Sequence, residues 1–295
     1  MPLQIRHTTT YTYGAPVSLS VHRFFLYPRT SPDIVPLDYH LQIDPPGKAQ
    51  WLRDLQDNHY LQVFFPDKLS SLTVHLELTC ALHQPNPYAY LLEARAQSWP
   101  FSLTPDEERQ LSAQRQPGGP DSDLLARWWQ ERQYPAQGET TALLTEWTRR
   151  FPGEFHYQPR ETPGTQDPAE TIARKQGTCR DLAVLFSDCL RLQGLATRLV
   201  TGYLFTPADD TPEENLDRQT ADAGSALHAW VEVYLPGAGW RGIDPTNGVF
   251  CDDHYLPLAV APGLEKTHPF QGTYFSPQPV SSGIHTVLHI ERTTD

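Results

Sequence analysis

The sequence predicts an α+β protein: an N-terminal antiparallel β-sandwich, followed by a second domain in which a helix packs on an antiparallel sheet. Three observations predict it. The first hundred residues alternate with period two and show no helical period of useful length. After Gln116-Pro117-Gly118-Gly119-Pro120 the apolar spacing turns to threes and fours. From Cys179 onward one strong helical pattern is followed by two strand patterns and a tight turn. A chain of 295 residues is long enough for two modest cores, which places a β domain at 1–105, a linker at 106–120 and a second domain at 121–295.

In the first domain Thr8, Thr10 and Thr12 alternate with Thr9, Tyr11 and Tyr13, and SLTVHLELTC puts Leu72, Val74, Leu76 and Leu78 on one face. Asp44-Pro45-Pro46-Gly47 and Gln84-Pro85-Asn86-Pro87 read as turns between such runs. No site signature falls here, so this half reads as structural or docking. Thr104-Pro105-Asp106-Glu107 has the form of a helix start. Helices are expected over 121–133, 140–151 and 168–175. The next helix, of about 14 residues, turns Leu182, Leu185, Phe186, Cys189 and Leu190 inward and stops at Gly194. Thr178 is its expected N-cap, with Asp181 completing a capping box. ATRLVTGYLF and ALHAWVEVYL read as strands joined by an acidic loop over 206–225; the second leads through Pro236-Gly237-Ala238-Gly239 to Trp240-Arg241-Gly242-Ile243-Asp244.

Charge and composition exclude several functions. With 23 basic and 35 acidic residues the net charge is -12, which opposes nucleic acid, anionic lipid and other acidic partners. No leader-like apolar segment opens the sequence and no run of about 18 apolar residues occurs, so the cytoplasm is the expected compartment. Cys80, Cys179, Cys189 and Cys251 show no CxxC spacing, and the histidines show no HxxxH pair with a neighbouring glutamate. No EF-hand-like acidic loop occurs, so neither a metal nor a cofactor is expected.

Cys179 reads two ways. At the first turn of a helix its sulfur faces unpaired backbone N–H groups, which favours thiolate; as the first residue of an apolar face it would be an inert buried thiol. His228 lies on a strand of alanine, valine, leucine and aromatics, where an unpaired ring would be costly. Asp244 ends the next strand of the hairpin, where its carboxylate can meet His228 on one sheet face or close an Asx turn before Pro245. Trp230 shares the face of His228 and either walls a site or packs. Cys189 reads as core, and Cys80 and Cys251 have no base in reach by motif.

GTCRDLAVLFSDCLRLQGLATRLVTGYL, followed by ALHAWVEVYLPGAGWRGIDPTNG, resembles the cysteine, histidine and aspartate motifs of bacterial transglutaminase-like proteins, a branch of the papain-like cysteine enzymes. The resemblance runs from about Phe151 onward, and HTTTYTYGAPVSLSVHRFFLYPR with DLQDNHYLQVFF is similar to the β-rich domain that precedes this core in the family. It implies a papain-like transglutaminase core in which Cys179 is the nucleophile, His228 the general base and acid, and Asp244 the orienting carboxylate. It further implies acyl transfer from a peptide or isopeptide amide of a peptide or protein substrate, through a thioester, to water or to an amine, with hydrolysis favoured. The rivals are a non-catalytic peptide-binding scaffold on a vestigial core and an arylamine acetyltransferase. The Cys179 N–H is the expected first oxyanion donor, with Tyr157, Gln158 and Gln176 as candidates for the second. Arg180 alters the charge of the site, and Asp181 is the next choice to orient His228. The acidic loop is expected to favour cationic or neutral substrates.

Overall fold

The computed structural model describes residues 2–119, 121–160, 164–206 and 226–293. Alternation builds the first sheet. In β1 (Leu3–Leu19) the odd-numbered Leu3, Ile5, His7 and Thr9 are buried, and in β6 (Leu69–Leu82) Leu72, Val74, Leu76 and Leu78 are, so the two strands pair antiparallel with one apolar face. β3 (Ile34–Asp44) flanks β6. A second sheet holds β2 (His22–Phe24), β4 (Lys48–Arg53) and β5 (His59–Phe64), and Phe24, Leu26 and Val63 pack from it onto the first. This is the expected sandwich, held by side chains whose full burial stabilises by about 1.5–3 kcal/mol each.

The second unit carries α1 (Pro105–Gln110), α2 (Ser122–Glu131), α3 (Thr140–Arg150), α4 (Pro168–Arg174) and α5 (Cys179–Leu192). Its sheet runs in the order β10 (Val249–Phe250), β9 (Gly239–Asp244), β8 (Ala226–Leu235), β7 (Thr197–Leu204), β11 (Tyr255–Ala261). α5 lies across β7 and β8. Its Leu182, Leu185, Phe186, Cys189 and Leu190 are buried, and Phe186 meets Phe151 with ring centroids 4.6 Å apart. The acidic run expected between β7 and β8 falls on 207–225, outside the described residues.

Contacts cross the boundaries expected at 1–105 and 121–295. Tyr90, Leu92, Trp99 and Phe101 pack into the second core, and the Glu93 N–H donates to the Pro236 carbonyl at 3.0 Å. That approach requires Gly237, whose φ is +88° and where a Cβ would lie 2.6 Å from the Glu93 nitrogen. At the other end the chain returns to the sandwich. β12 (Phe270–Gln271) joins β2, β13 (Tyr274–Phe275) joins β1, and β14 (Ser282–Arg292) pairs along β1 from Leu3↔Arg292 to Tyr13↔Ser282. The physical reason is the free side of β1, whose N–H and C=O groups need a neighbour. The expected linker also has structure: α1 carries a Thr104–Glu107 capping box, and the Gly118 N–H donates to Asp188 at 2.9 Å. The Asn58 side chain stitches the halves together, bonding the Val260 carbonyl at 2.7 Å and its N–H at 2.9 Å.

Candidate active site

The start of α5 is fixed by one carboxylate. Asp181, with 0% exposure, accepts from the Thr178 N–H and hydroxyl at 2.9 Å each, from Arg160 Nη2 at 2.8 Å and from the Gln166 N–H at 2.7 Å. This is the expected capping role, extended to hold the 160–166 segment against the helix. Cys179 is thereby set at the first helical position, its side chain turned to a cleft of about 340 Å³.

β8 and β9 bring the other two residues there. The hairpin register pairs Val231 with Ile243, and the strand end carries Asp244 to His228, whose Nε2 donates to Oδ2 at 2.8 Å. Asp244 is fully buried and also accepts from the Tyr255 hydroxyl at 2.8 Å and Asn247 Nδ2 at 2.7 Å, while its Oδ1 takes the Thr246 N–H at 2.8 Å. With Nε2 held, Nδ1 is the ring nitrogen left for Cys179. The His228 ring and the Ala229 backbone N–H stand against the sulfur.

Electrostatics follow from this packing. Burial alone pushes the Cys179 thiol up, but the His228 ring and the Ala229 N–H outweigh it and hold the pKa below its ordinary value. Burial would likewise lower the His228 pKa; Asp244 first, then Cys179, raise it to about 10. At Asp244 burial raises the pKa, and His228, the Tyr255 hydroxyl and the Thr246 N–H together bring it below the usual carboxylate value. The favoured state is a thiolate beside an imidazolium. Trp230 packs and is not among the residues that line the cleft: its ring stacks near His228 at 6.4 Å between centroids and meets Tyr255 edge-on at 5.4 Å.

The structure joins Cys179, His228 and Asp244 and sets Asp181 apart, since that carboxylate is spent on the helix start and Arg160. Arg180 and Tyr157 line the cleft; Gln158 and Gln176 are not among its lining residues. Cys80 and Cys189 are sealed in apolar surroundings, and burial pushes both thiols up, as it does that of Cys251. Asp252, Asp253 and His254 lie close enough together to ligate a metal, but His254 Nδ1 bonds Asp252 at 2.9 Å and Arg292 bonds Asp253 at 3.0 Å. Asn247 and Tyr255 were not legible as part of the site. Asn247 follows from the Asx turn, because the carboxylate that closes it is the one that holds the ring; Tyr255 comes from a strand three places away from that of Asp244 and has no local signal.

Residues 3–81 match the bacterial transglutaminase-like N-terminal region, and residues 129–245, which include Cys179, His228 and Asp244, match the transglutaminase-like superfamily. The chain is 27% identical over 284 residues to an uncharacterised protein of Mycobacterium tuberculosis, covering 92% of this chain and 87% of that one. It is 26% identical over 205 residues to a protein-glutamine gamma-glutamyltransferase of Pseudomonas aeruginosa, covering 68% of this chain and 29% of that one. The crystal structure of a provisionally assigned cysteine protease from Cytophaga hutchinsonii shares the fold, with a TM-score of 0.70 at 17% identity over 100% of this chain and 92% of that chain.

Proposed function

Starting from a transglutaminase-like protein, with the bacterial N-terminal region ahead of the superfamily's core, we propose cysteine-dependent acyl transfer from a peptide or isopeptide amide, with water as the acceptor. One observation carries the reading: His228 is anchored on Asp244 at 2.8 Å with its other nitrogen free to serve a thiol of lowered pKa. The Cys179 thiolate attacks the amide carbonyl, and the helix-start N–H of Cys179 receives the oxyanion. His228 gives its proton to the leaving amine as the C–N bond breaks, which leaves a thioester on Cys179. His228 then takes a proton from water as it attacks, and the thiolate departs with release of the acid. An amine in place of water turns the same thioester into a crosslink.

The four cysteines are free, which supports a reducing compartment and keeps the cytoplasm as our reading. No described helix is long and apolar enough to cross a membrane. The test is intact-mass detection of an acyl-enzyme at Cys179 after a mixture of peptide amides is offered. An adduct that water discharges is expected in the parent and not in Cys179→Ala. Its rate of formation should fall on the alkaline side near pH 10, where His228 loses the proton it must donate. If no donor gives an adduct, the core is a non-catalytic binding scaffold.

A further inference from the structure

We propose that Arg180 receives a carboxylate carried by the substrate beside the scissile amide, so that the acyl donors are acidic peptides. The inference rests on the thioester reading above and adds the substrate class. Arg180 is the second residue of α5, half-buried, and lines the cleft together with Cys179 and His228. No Asp or Glu is among the described residues that line this cleft. Two of the nearby carboxylates are fully buried and taken, Asp181 by Arg160, Thr178 and Gln166, and Asp244 by His228; a third, Glu265, does not line the cleft but acts on His268, which does. Arg160 is therefore neutralised within the fold, whereas Arg180 has no ion pair among the described residues.

Its position makes that notable in physical terms. A cation in the first turn opposes the helix dipole, where an acid would stabilise. The unfavourable placement is offset when an anion enters the cleft and the guanidinium fork closes on both carboxylate oxygens. The neighbouring His268 supports this polarity, because burial first and Arg180 second hold its pKa down against the opposing pull of Glu265. The net charge of -12 repels acidic molecules at long range, but a low-dielectric cleft is governed by the charges that line it.

The first measurement needs no known substrate. Cys179 in the full chain is alkylated with iodoacetate and with iodoacetamide, and the ratio of the two rates cancels any change in thiol ionisation. Arg180→Gln should lower that ratio by about fivefold and Arg180→Glu by more, while about 0.5 M salt should compress the parent's ratio toward that of the variants. Neither variant should melt earlier than the parent, since each removes a cation from a helix start. The second measurement compares kcat/KM for donors that differ as Glu against Gln beside the scissile amide, and as free against amidated C-terminus. A preference for Glu that Arg180→Gln abolishes assigns the carboxylate to a side chain; a preference for the free terminus assigns it to the chain end. Normal alkylation of Cys179 with an unchanged ratio in both variants overturns the inference and leaves the thioester reading standing. Failure of Cys179 to alkylate with either reagent overturns both.

Discussion

At its start α5 carries Cys179, with Asp181 two residues on and Arg160 bound to that carboxylate at 2.8 Å; near its end it carries Cys189, with Asp188 beside it and Arg191 bound to that carboxylate at 3.3 Å. The residue types are the same. At the first end the sulfur meets a cleft, an imidazole and a backbone N–H, and its pKa is lowered against the pull of burial. At the second it is enclosed in the core, and burial, followed by the Asp188 charge, pushes it up. The acids differ as well. Asp181 caps the helix, while Asp188 and Arg191 form a buried pair that ties in the Gly118 N–H and the carbonyls of Gln116, Thr197 and Pro262. The comparison teaches that a thiol's acidity is set by what the fold places against it, and that one helix can hold one thiol of lowered and one of raised pKa ten residues apart.

The sharpest way to break this contrast is to remove each sulfur. Cys179→Ala should cut kcat/KM by about 10⁴-fold or more with the melting curve unchanged, and His228→Ala should do comparable damage that does not add to it. Cys189→Ala should keep the rate within about twofold while losing roughly 1–2 kcal/mol of stability. Near-normal turnover in Cys179→Ala would remove the distinction.

A smaller effect comes from the group that holds the imidazole. Asp244→Asn should cost about 10²–10⁴ in kcat, because asparagine can hold the ring but stabilises imidazolium poorly. Its Cys179 should need a higher pH to alkylate, since a weaker imidazolium no longer offsets burial of the thiolate. A variant with full rate and an unshifted alkylation profile would show that Asp244 serves only its turn.

The smallest effects sharpen the comparison between the acids. Asp188→Asn leaves Arg191 buried without its partner and should cost about 3–5 kcal/mol in denaturant unfolding. Asp181→Asn should cost about 1–2 kcal/mol, because Arg160 is 23% exposed and can turn to water. Equal losses would show that the two ion pairs are equivalent.

Much of this was readable in the sequence because it is local. The helix from Cys179, its cap at Thr178 and the alternation in β1 and β6 depend on neighbours within a few residues. The motif order, with the hairpin between His228 and Asp244, carried the site. What escaped the reading depends on strand order. Tyr255 reaches Asp244 because β11 lies beyond β7, and the packing of Trp99 into the second core and the return of β14 to β1 follow from where the sheets place free edges and apolar gaps. The burial of Asp181 was likewise unreadable, because Arg160 and Gln166 arrive from a loop with no pattern.

The pairing of β14 with β1 has a consequence for synthesis. The earlier strand waits for one made much later: Leu3 meets Cys80 of β6 first and finds its second partner only when Arg292 has left the ribosome. Until then the early sheet carries an open seam of unpaired amides, while the segments that build the helical core are already available to collapse. Closing a pair across almost the whole chain is the kind of non-local step that slows folding. The sandwich is therefore finished only after the core that follows it, and a ribosome-stalled chain lacking β14 would hold the second sheet complete beside an unfinished sandwich.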